Sequence, residues 1–425
     1  MQVIIVGAGI GGLSAALSLA LAGHEVMILE SASALAEIGA GVQMTPNATK
    51  YFWKWGLGPD ILERAVLPNS FNILRGVNGD VLGQVPFKDF ESRYGAPYIV
   101  IHRADIHQIL HKHAIAAGVC LALSSKVIKY DFETGSVQLA NGEELHADLV
   151  VAVDGINSFA RGSFLDQTGD GLEKTGWAAY RTMAPVETIK ANPRTAHLVA
   201  EHNCNCWVGD GKLVMTYMIK NSQMLNIVLS HPDNVDTIDW TSEQYHAEIK
   251  RLYGEWDPLL RELLSMTDSD IQNWPIYQVR SLPRWISKSG KFVLMGDAAH
   301  AMAFYLSMGV SMAVEDAEAL TECISLQQKT DRSLEQAMAV FEKVRKERAE
   351  AVKDASLHAG NILQLPQGLE QEVRDRSLKD DESSIRTFKG NDFYATRTSY
   401  GIADQEIRDW CYGYDVIEKV RAEWH

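Results

Sequence analysis

The chain is poor in cysteine, in positive charge and in long apolar runs. Its 425 residues include five cysteines, and Cys120, Cys204, Cys206, Cys323 and Cys411 are widely spread and odd in number. A disulfide framework uses paired cysteines, so this pattern points to a reducing compartment. Cys204 and Cys206 form a C-x-C, but no second pair stands at zinc spacing, and two same-face residues of a strand is the better reading. Lys and Arg total 40 against 55 Asp and Glu, a formal charge of −15. That balance argues against a broad surface for nucleic acid or anionic membrane. The longest apolar stretch, LSAALSLALAG, is too short to cross a bilayer and carries serines at helical intervals. Met1 runs almost directly into QVIIVGAG without a basic leader. A cytoplasmic protein is therefore expected, with no membrane span. The length exceeds one ordinary core and implies two or three domains.

What is present starts at the first residues. VIIVGAGIGGLSAALSLALAGHEVMILE reads as strand, glycine turn, helix, strand. Val3 to Val6 are a short β-branched run suited to a buried parallel strand. Gly7, Gly9 and Gly12 then give G-x-G-x-x-G: the first for the turn, the second for approach to a pyrophosphate, the third for packing helix on strand. Glu30 closes the second strand, where a carboxylate accepts from the hydroxyls of an adenosine ribose. This arrangement binds a dinucleotide. NAD and FAD both remain open at this point, and the carboxylate disfavours a 2′-phosphorylated ligand.

Two further motifs narrow the choice. ADLVVAVDGINSFAR is a strand ending in Asp154-Gly155, with Ser158 and Arg161 beyond it, and KFVLMGDAAHA is a buried strand ending in Gly296-Asp297. With the N-terminal fingerprint, these motifs resemble the three signatures of single-component, FAD-dependent aromatic hydroxylases, and more narrowly salicylate hydroxylase and its relatives. GAGVQMTPNA (Gly39 to Ala48), HRADIHQIL (His102 to Leu110), GWAAYRT (Gly176 to Thr182), FEKVRKERAEAV (Phe341 to Val352) and YGYDV (Tyr412 to Val416) extend the resemblance nearly end to end.

The resemblance implies an α/β fold: a Rossmann-type FAD-binding domain, an inserted antiparallel-sheet substrate domain and a C-terminal helical segment. The expected division is 1–70, 98–175 and 280–355 for the discontinuous FAD-binding domain, 71–97 and 176–279 for the substrate sheet, and 356–425 for the C-terminal segment. It also implies a non-covalent FAD, with Asp297 on a ribitol hydroxyl, Gly309 beside the flavin and Arg103 near the phosphates. Asp154 and Gly155 fall where FAD and a visiting nicotinamide cofactor both lie. Gly39-Ala40-Gly41 and Gly209-Asp210-Gly211 lack a following helix pattern, so NADH or NADPH has no Rossmann domain of its own. It visits, reduces the flavin and leaves.

The middle of the chain turns to short alternating strands such as LVMTYMI and MLNIVLS. Thr241 with Gln244, and Ser333 with Gln336, form capping boxes opening two helices, the second running through about Leu357. Asp380 to Ser384 reads as a charged, solvated loop. His107 and His111 stand four apart on a helix and His113 follows, but Ile106, Ile109 and Leu110 define that helix's apolar face and the histidines flank it. A hydrated or capping role is expected of them, and no metal.

In the family, NAD(P)H reduces FAD, O2 adds to the flavin, and the hydroperoxide transfers OH to an electron-rich ring. Arg181 is the expected catalytic residue, since a guanidinium stabilises a phenolate or carboxylate. The alternative for it is an interdomain salt bridge. Tyr217, in the same sheet, is a second polar candidate. After GDAAH the family pattern usually has Pro before the aromatic and Gln before the glycine, and here those positions hold Phe304 and Met308. We expect the pair to wall a pocket for a larger, less polar substrate than a benzoate. The expected partner is a small aromatic molecule: a phenolic acid, a polyketide resorcinol or an indole alkaloid, hydroxylated or epoxidised. The chain itself is expected to be a monomer or homodimer. A flavin dehydrogenase or oxidase, and a non-enzymatic flavoprotein, remain as alternatives.

Overall fold

The computed structural model describes the chain except residues 36–40, 166–170, 269 and 380–402. Gly39 and Ala40 of the expected family motif, and the charged loop from Asp380 to Ser384, lie outside the described residues.

The β-branched run at the start becomes the strand Gln2–Val6, whose Val3 to Val6 are all buried. It pairs in parallel with Leu149–Ala152 on one side and Glu25–Leu29 on the other. Phe292–Leu294 and Cys120–Ala122 complete a five-stranded parallel sheet. Such a sheet is covered on both faces, which is why its strands read as unbroken apolar runs. The helix Ile10–Leu21 covers it and packs on the helix Gly309–Gln327. There Ser18 Oγ lies 3.1 Å from Glu318 Oε1 and 2.8 Å from Thr321 Oγ1. Three strands from different parts of the chain thus end at one edge, each followed by a turn.

The second layer is a seven-stranded sheet. Its order is Gln272–Val279, Leu172–Pro185, Met224–Pro232, Lys212–Ile219, Asn203–Gly209, Ser70–Arg75 and Val81–Pro86. All neighbours are antiparallel except one pair: Asn203–Gly209 runs parallel to Ser70–Arg75. The expectation of an antiparallel sheet therefore needs this amendment. The two strands are separated by more than a hundred residues, which include the nucleotide-sheet strands Cys120–Ala122 and Leu149–Ala152 and give the long crossover a parallel pair requires.

Strand alternation sorts the sheet's side chains. Arg181 is paired with Val228, and Val228 with Met215, so these side chains share a face. Tyr217 lies two residues on from Met215 along the same strand. Tyr180 points the other way and meets Tyr245 of the helix Ser242–Tyr253. Both expected capping boxes are present, with reciprocal bonds at Thr241/Gln244 and Ser333/Gln336. The helix opened by Ser333 runs Leu334–Leu363, past the expected Leu357. The helices Leu369–Lys379, Gln405–Tyr412 and Val416–Glu423 follow. No helix among the described residues is long and apolar enough to cross a membrane.

Candidate active site

The glycine turn follows the first strand directly. Gly7 has φ 109°, and a Cβ there would stand 2.5 Å from Val153 O; a Cβ on Gly12 would meet Gly7 O at 2.0 Å. Gly9 differs, since a Cβ there would meet nothing within 4 Å. It faces a groove. As N-cap of Ile10–Leu21 it gives the helix no side-chain cap, so the first N–H groups and the positive helix end face the groove, an arrangement suited to an anion. Ala8 is clamped from both sides: its N–H donates to Glu30 Oε2 at 2.9 Å, and its carbonyl accepts from His107 Nε2 at 2.7 Å. His107 is buried. The expectation of a hydrated or capping His107 is therefore corrected, because the helix Arg103–Ala116 turns this face toward the glycine turn. His113 instead meets Asp60 at 2.9 Å, and among the described residues no cluster is suited to a metal.

Glu30, Gly7, Gly9, Asp154 and Gly155 line a cavity of about 360 Å³ together with Lys126, Tyr130 and Phe159. Besides Ala8, Glu30 accepts from Ala32 N at 2.8 Å through its other oxygen. Asp154 accepts from Ser158 Oγ at 2.5 Å and Ala160 N at 3.0 Å, so its carboxylate holds the chain leading into the helix Phe159–Leu165. Arg161 is buried and reaches Ala298 O at 3.1 Å and Ile156 O at 2.7 Å. It ties that helix to the turn bearing Asp297.

Asp297 opens the short helix Asp297–His300 after Gly296, whose φ is 59°. A buried charged network lies under this turn. Asp316 Oδ2 accepts from Gly296 N at 3.0 Å and His300 Nε2 at 2.6 Å, while Oδ1 accepts from Arg345 Nε at 2.7 Å. Glu315 binds Arg345 at 2.6 Å and accepts from Asn47 Nδ2 at 2.6 Å. Burial pushes the Asp316 carboxyl up, but His300 and Arg345 outweigh it and hold it at about 2.

A second cavity, of about 320 Å³, shares Gly9, Val153 and Gly155 with the first and opens between the two sheets. It brings together Arg103, Arg181, Tyr217, Asp297, Phe304 and Gly309. Arg181 Nε is buried without a hydrogen-bond partner. Burial lowers the guanidinium's pKa, Arg103's charge adds to that, and Tyr217 opposes it; no carboxylate among the described residues acts on it. The interdomain salt bridge is therefore not what the geometry provides. Its Cζ lies 5.9 Å from the Phe304 ring and 5.7 Å from the Trp274 ring. Burial also pushes the Tyr217 hydroxyl up, with Arg181 drawing it partly back. Tyr217 crosses so close to the chain that a Cβ on Gly41 would stand 2.4 Å from its ring.

Met308 does not line this cavity, against the expectation for it. It is fully buried, with Sδ 3.4 Å from Thr45 Oγ1. The cause is local: Met308 caps Gly309–Gln327 with φ −96° and ψ −14°, and that turn sends its side chain inward while Phe304 faces the cavity. Sequence reasoning missed Gln43, Met215 and Ser307, which also line the wall. Gln43 accepts from Tyr98 Oη and gives its amide to Met215 Sδ at 2.9 Å. Ser307 holds φ 57°, a strained value for a non-glycine residue and of a kind that gathers at functional sites.

A glycine turn over a helix end, an acidic residue closing the next strand and a groove continuing under a second sheet define an α/β dinucleotide-binding protein. The chain belongs to the FAD-dependent monooxygenase family: the family model described as FAD binding domain matches residues 1–356. It is 30% identical over 420 residues to FAD-dependent monooxygenase OpS4 of Beauveria bassiana, covering 98% of this chain and 96% of that one. It is 27% identical over 420 residues to 3-hydroxybenzoate 6-hydroxylase of Polaromonas naphthalenivorans, at 98% and 96% coverage. The fold superimposes on a salicylate hydroxylase substrate complex with a TM-score of 0.78 at 22% identity, covering 100% of this chain and 98% of that one. The open space over Gly9 and the uncapped helix end fit the pyrophosphate of FAD.

Proposed function

We propose that the protein is an FAD-dependent aromatic-ring monooxygenase. It uses NADH or NADPH and O2 to hydroxylate or epoxidise an electron-rich aromatic substrate carrying an acidic oxygen. The observation that carries this reading is Arg181: a half-buried guanidinium whose buried Nε has no partner, beside Phe304, in a cavity continuous with the glycine-turn groove. The names of the curated relatives point the same way, since one acts on 3-hydroxybenzoate.

In this reading the described residues of 1–70, 98–175 and 280–355 hold the cofactor, those of 71–97 and 176–279 cover the substrate, and the described helices after residue 356 pack behind them. Gly9 admits the pyrophosphate while Gly7 and Gly12 form the turn and the close helix packing around it, Glu30 holds the adenosine ribose, and Asp297 a ribitol hydroxyl. The chemistry supplied by FAD held there would be acceptance of a hydride from the nicotinamide cofactor and activation of O2. The chain supplies the rest. Arg181 keeps an acidic oxygen of the substrate ionised, which raises electron density in the ring. Phe304 offers that ring a face. Met215, Val228 and Met302 keep the wall apolar and limit water. The network at Asp316 and His300 fixes the turn that presents Asp297.

The test is isotopic. Purified holoenzyme is given NADH or NADPH under 18O2 with a panel of phenolic acids, 3-hydroxybenzoate first, and products are read by mass spectrometry. One labelled oxygen in the product is expected. Cofactor oxidation recovered entirely as hydrogen peroxide, with no label in any aromatic product across the panel and across phenols lacking a carboxyl group, would overturn the proposal.

A further inference from the structure

Arg181 lies between two ring-bearing elements, and only one of the rings belongs to the cavity. Phe304 lines it. Trp274 stands on the edge strand Gln272–Val279 and is 40% exposed. The strand pairing explains the contact: Arg181 is opposite Gln272 and Ala179 opposite Trp274, so Trp274 is the diagonal same-face neighbour of Arg181. The guanidinium has little else to hold it. Its Nε has no partner, and no carboxylate among the described residues acts on it. Arginine has many rotamers, and an unpaired one beside an edge strand can turn outward to water at small cost. What opposes that here is attraction to two π faces, at 5.7 Å and 5.9 Å from Cζ. Tryptophan is the stronger of the two as a cation partner. Ring contact also leaves the planar donors of a guanidinium unused, and these are the groups that bind a carboxylate or phenolate.

We infer that Trp274 is a specificity-determining positioning residue: its ring keeps the Arg181 guanidinium beside Phe304, so that the cavity selects aromatic substrates bearing an anionic oxygen over neutral analogues. This rests on the reading of Arg181 as the substrate-facing cation. Trp274 acts through Arg181 and makes no demand on the cofactor. Its backbone is tied into a sheet ladder, so the ring is carried by a rigid element and its removal leaves the cavity wall standing. The preference it creates is one of charge: a neutral ligand gains less from a well-held guanidinium than an anion does, and the anion loses more affinity once that group is free to wander.

The experiment titrates 3-hydroxybenzoate and 3-hydroxybenzamide into FAD-loaded enzyme and follows the perturbation of the flavin absorbance. The parent, Trp274→Ala, Trp274→Phe and Arg181→Met are compared, with thermal unfolding of each as a control. The parent is expected to prefer the acid. Trp274→Ala should weaken the acid about tenfold while the amide stays within about twofold, and Trp274→Phe should recover most of the loss. Equal weakening of both ligands in Trp274→Ala, or of neither, overturns the inference. If Arg181→Met loses the acid preference and Trp274→Ala keeps it, only the role of Trp274 fails. A parent that binds neither ligand, or binds both equally, overturns the reading of Arg181 and this inference with it.

Discussion

Gly296 donates its backbone N–H to Asp316 Oδ2 at 3.0 Å, from a helix twenty residues further along the chain. The same oxygen takes His300 Nε2 at 2.6 Å, so one carboxylate grips both ends of the turn that carries Asp297. The folded Asp316 carboxyl sits at about 2, below its ordinary 3.8. A carboxyl depressed on folding adds stability that is complete above the unfolded value and fades as pH falls from about 4 to about 2. That displacement corresponds to about 2 kcal/mol. Asp316→Asn should lower stability near neutral pH by about 3–5 kcal/mol, as expected for breaking a buried charge network. It should also flatten the acid limb. Urea midpoints at pH 7, 4 and 2.5 check this, and equal acid slopes in parent and variant would discard Asp316 as the titrating group.

Gly9→Val fills the open space over the helix end, where no atom lies within 4 Å of a Cβ. A fold left intact but a blocked groove should yield colourless protein with a parent-like far-UV spectrum. Full flavin content after purification would sink the assignment of this turn to FAD.

Asp297→Ala and Arg181→Met should fail in different ways. A hydrogen bond involving a charged group contributes about 1.5–3 kcal/mol, so Asp297→Ala should bind FAD roughly ten- to hundredfold more weakly. Arg181→Met should keep its flavin and lose product formation by about 10²-fold if it stabilises charge in the transition state. FAD titration and product yield separate the two. Parent-level product from Arg181→Met would remove that residue from the mechanism.

Phe304 and Met308, neighbours in one short sequence, should also part company. Phe304→Ala opens the cavity wall beside Arg181 and should release hydrogen peroxide in place of product, because the substrate ring is no longer held. Met308→Gln puts an amide into the buried site beside Thr45. It should cost about 1–3 kcal/mol of stability and leave product formed per NAD(P)H unchanged. Uncoupling in Met308→Gln without loss of stability would restore Met308 to the pocket.

Features that depend on neighbours along the chain were readable from the residues alone. Gly7, Gly9 and Gly12 fall where one turn needs them, and the capping boxes at Thr241 and Ser333 close over three residues. The strand-turn motifs at Asp154 and Asp297 were legible for the same reason: a few consecutive residues set the backbone. The remaining contacts arise only once the chain is folded. His107 reaches Ala8 across 99 positions of chain, Asn203–Gly209 pairs in parallel with Ser70–Arg75, and Trp274 meets Arg181 across a strand register. Met308 turned inward as the cap of Gly309–Gln327 while Phe304, in the turn before it, faces the cavity, which no periodicity foretold. Burial and long-range packing set these contacts, and they act between residues that the sequence leaves far apart.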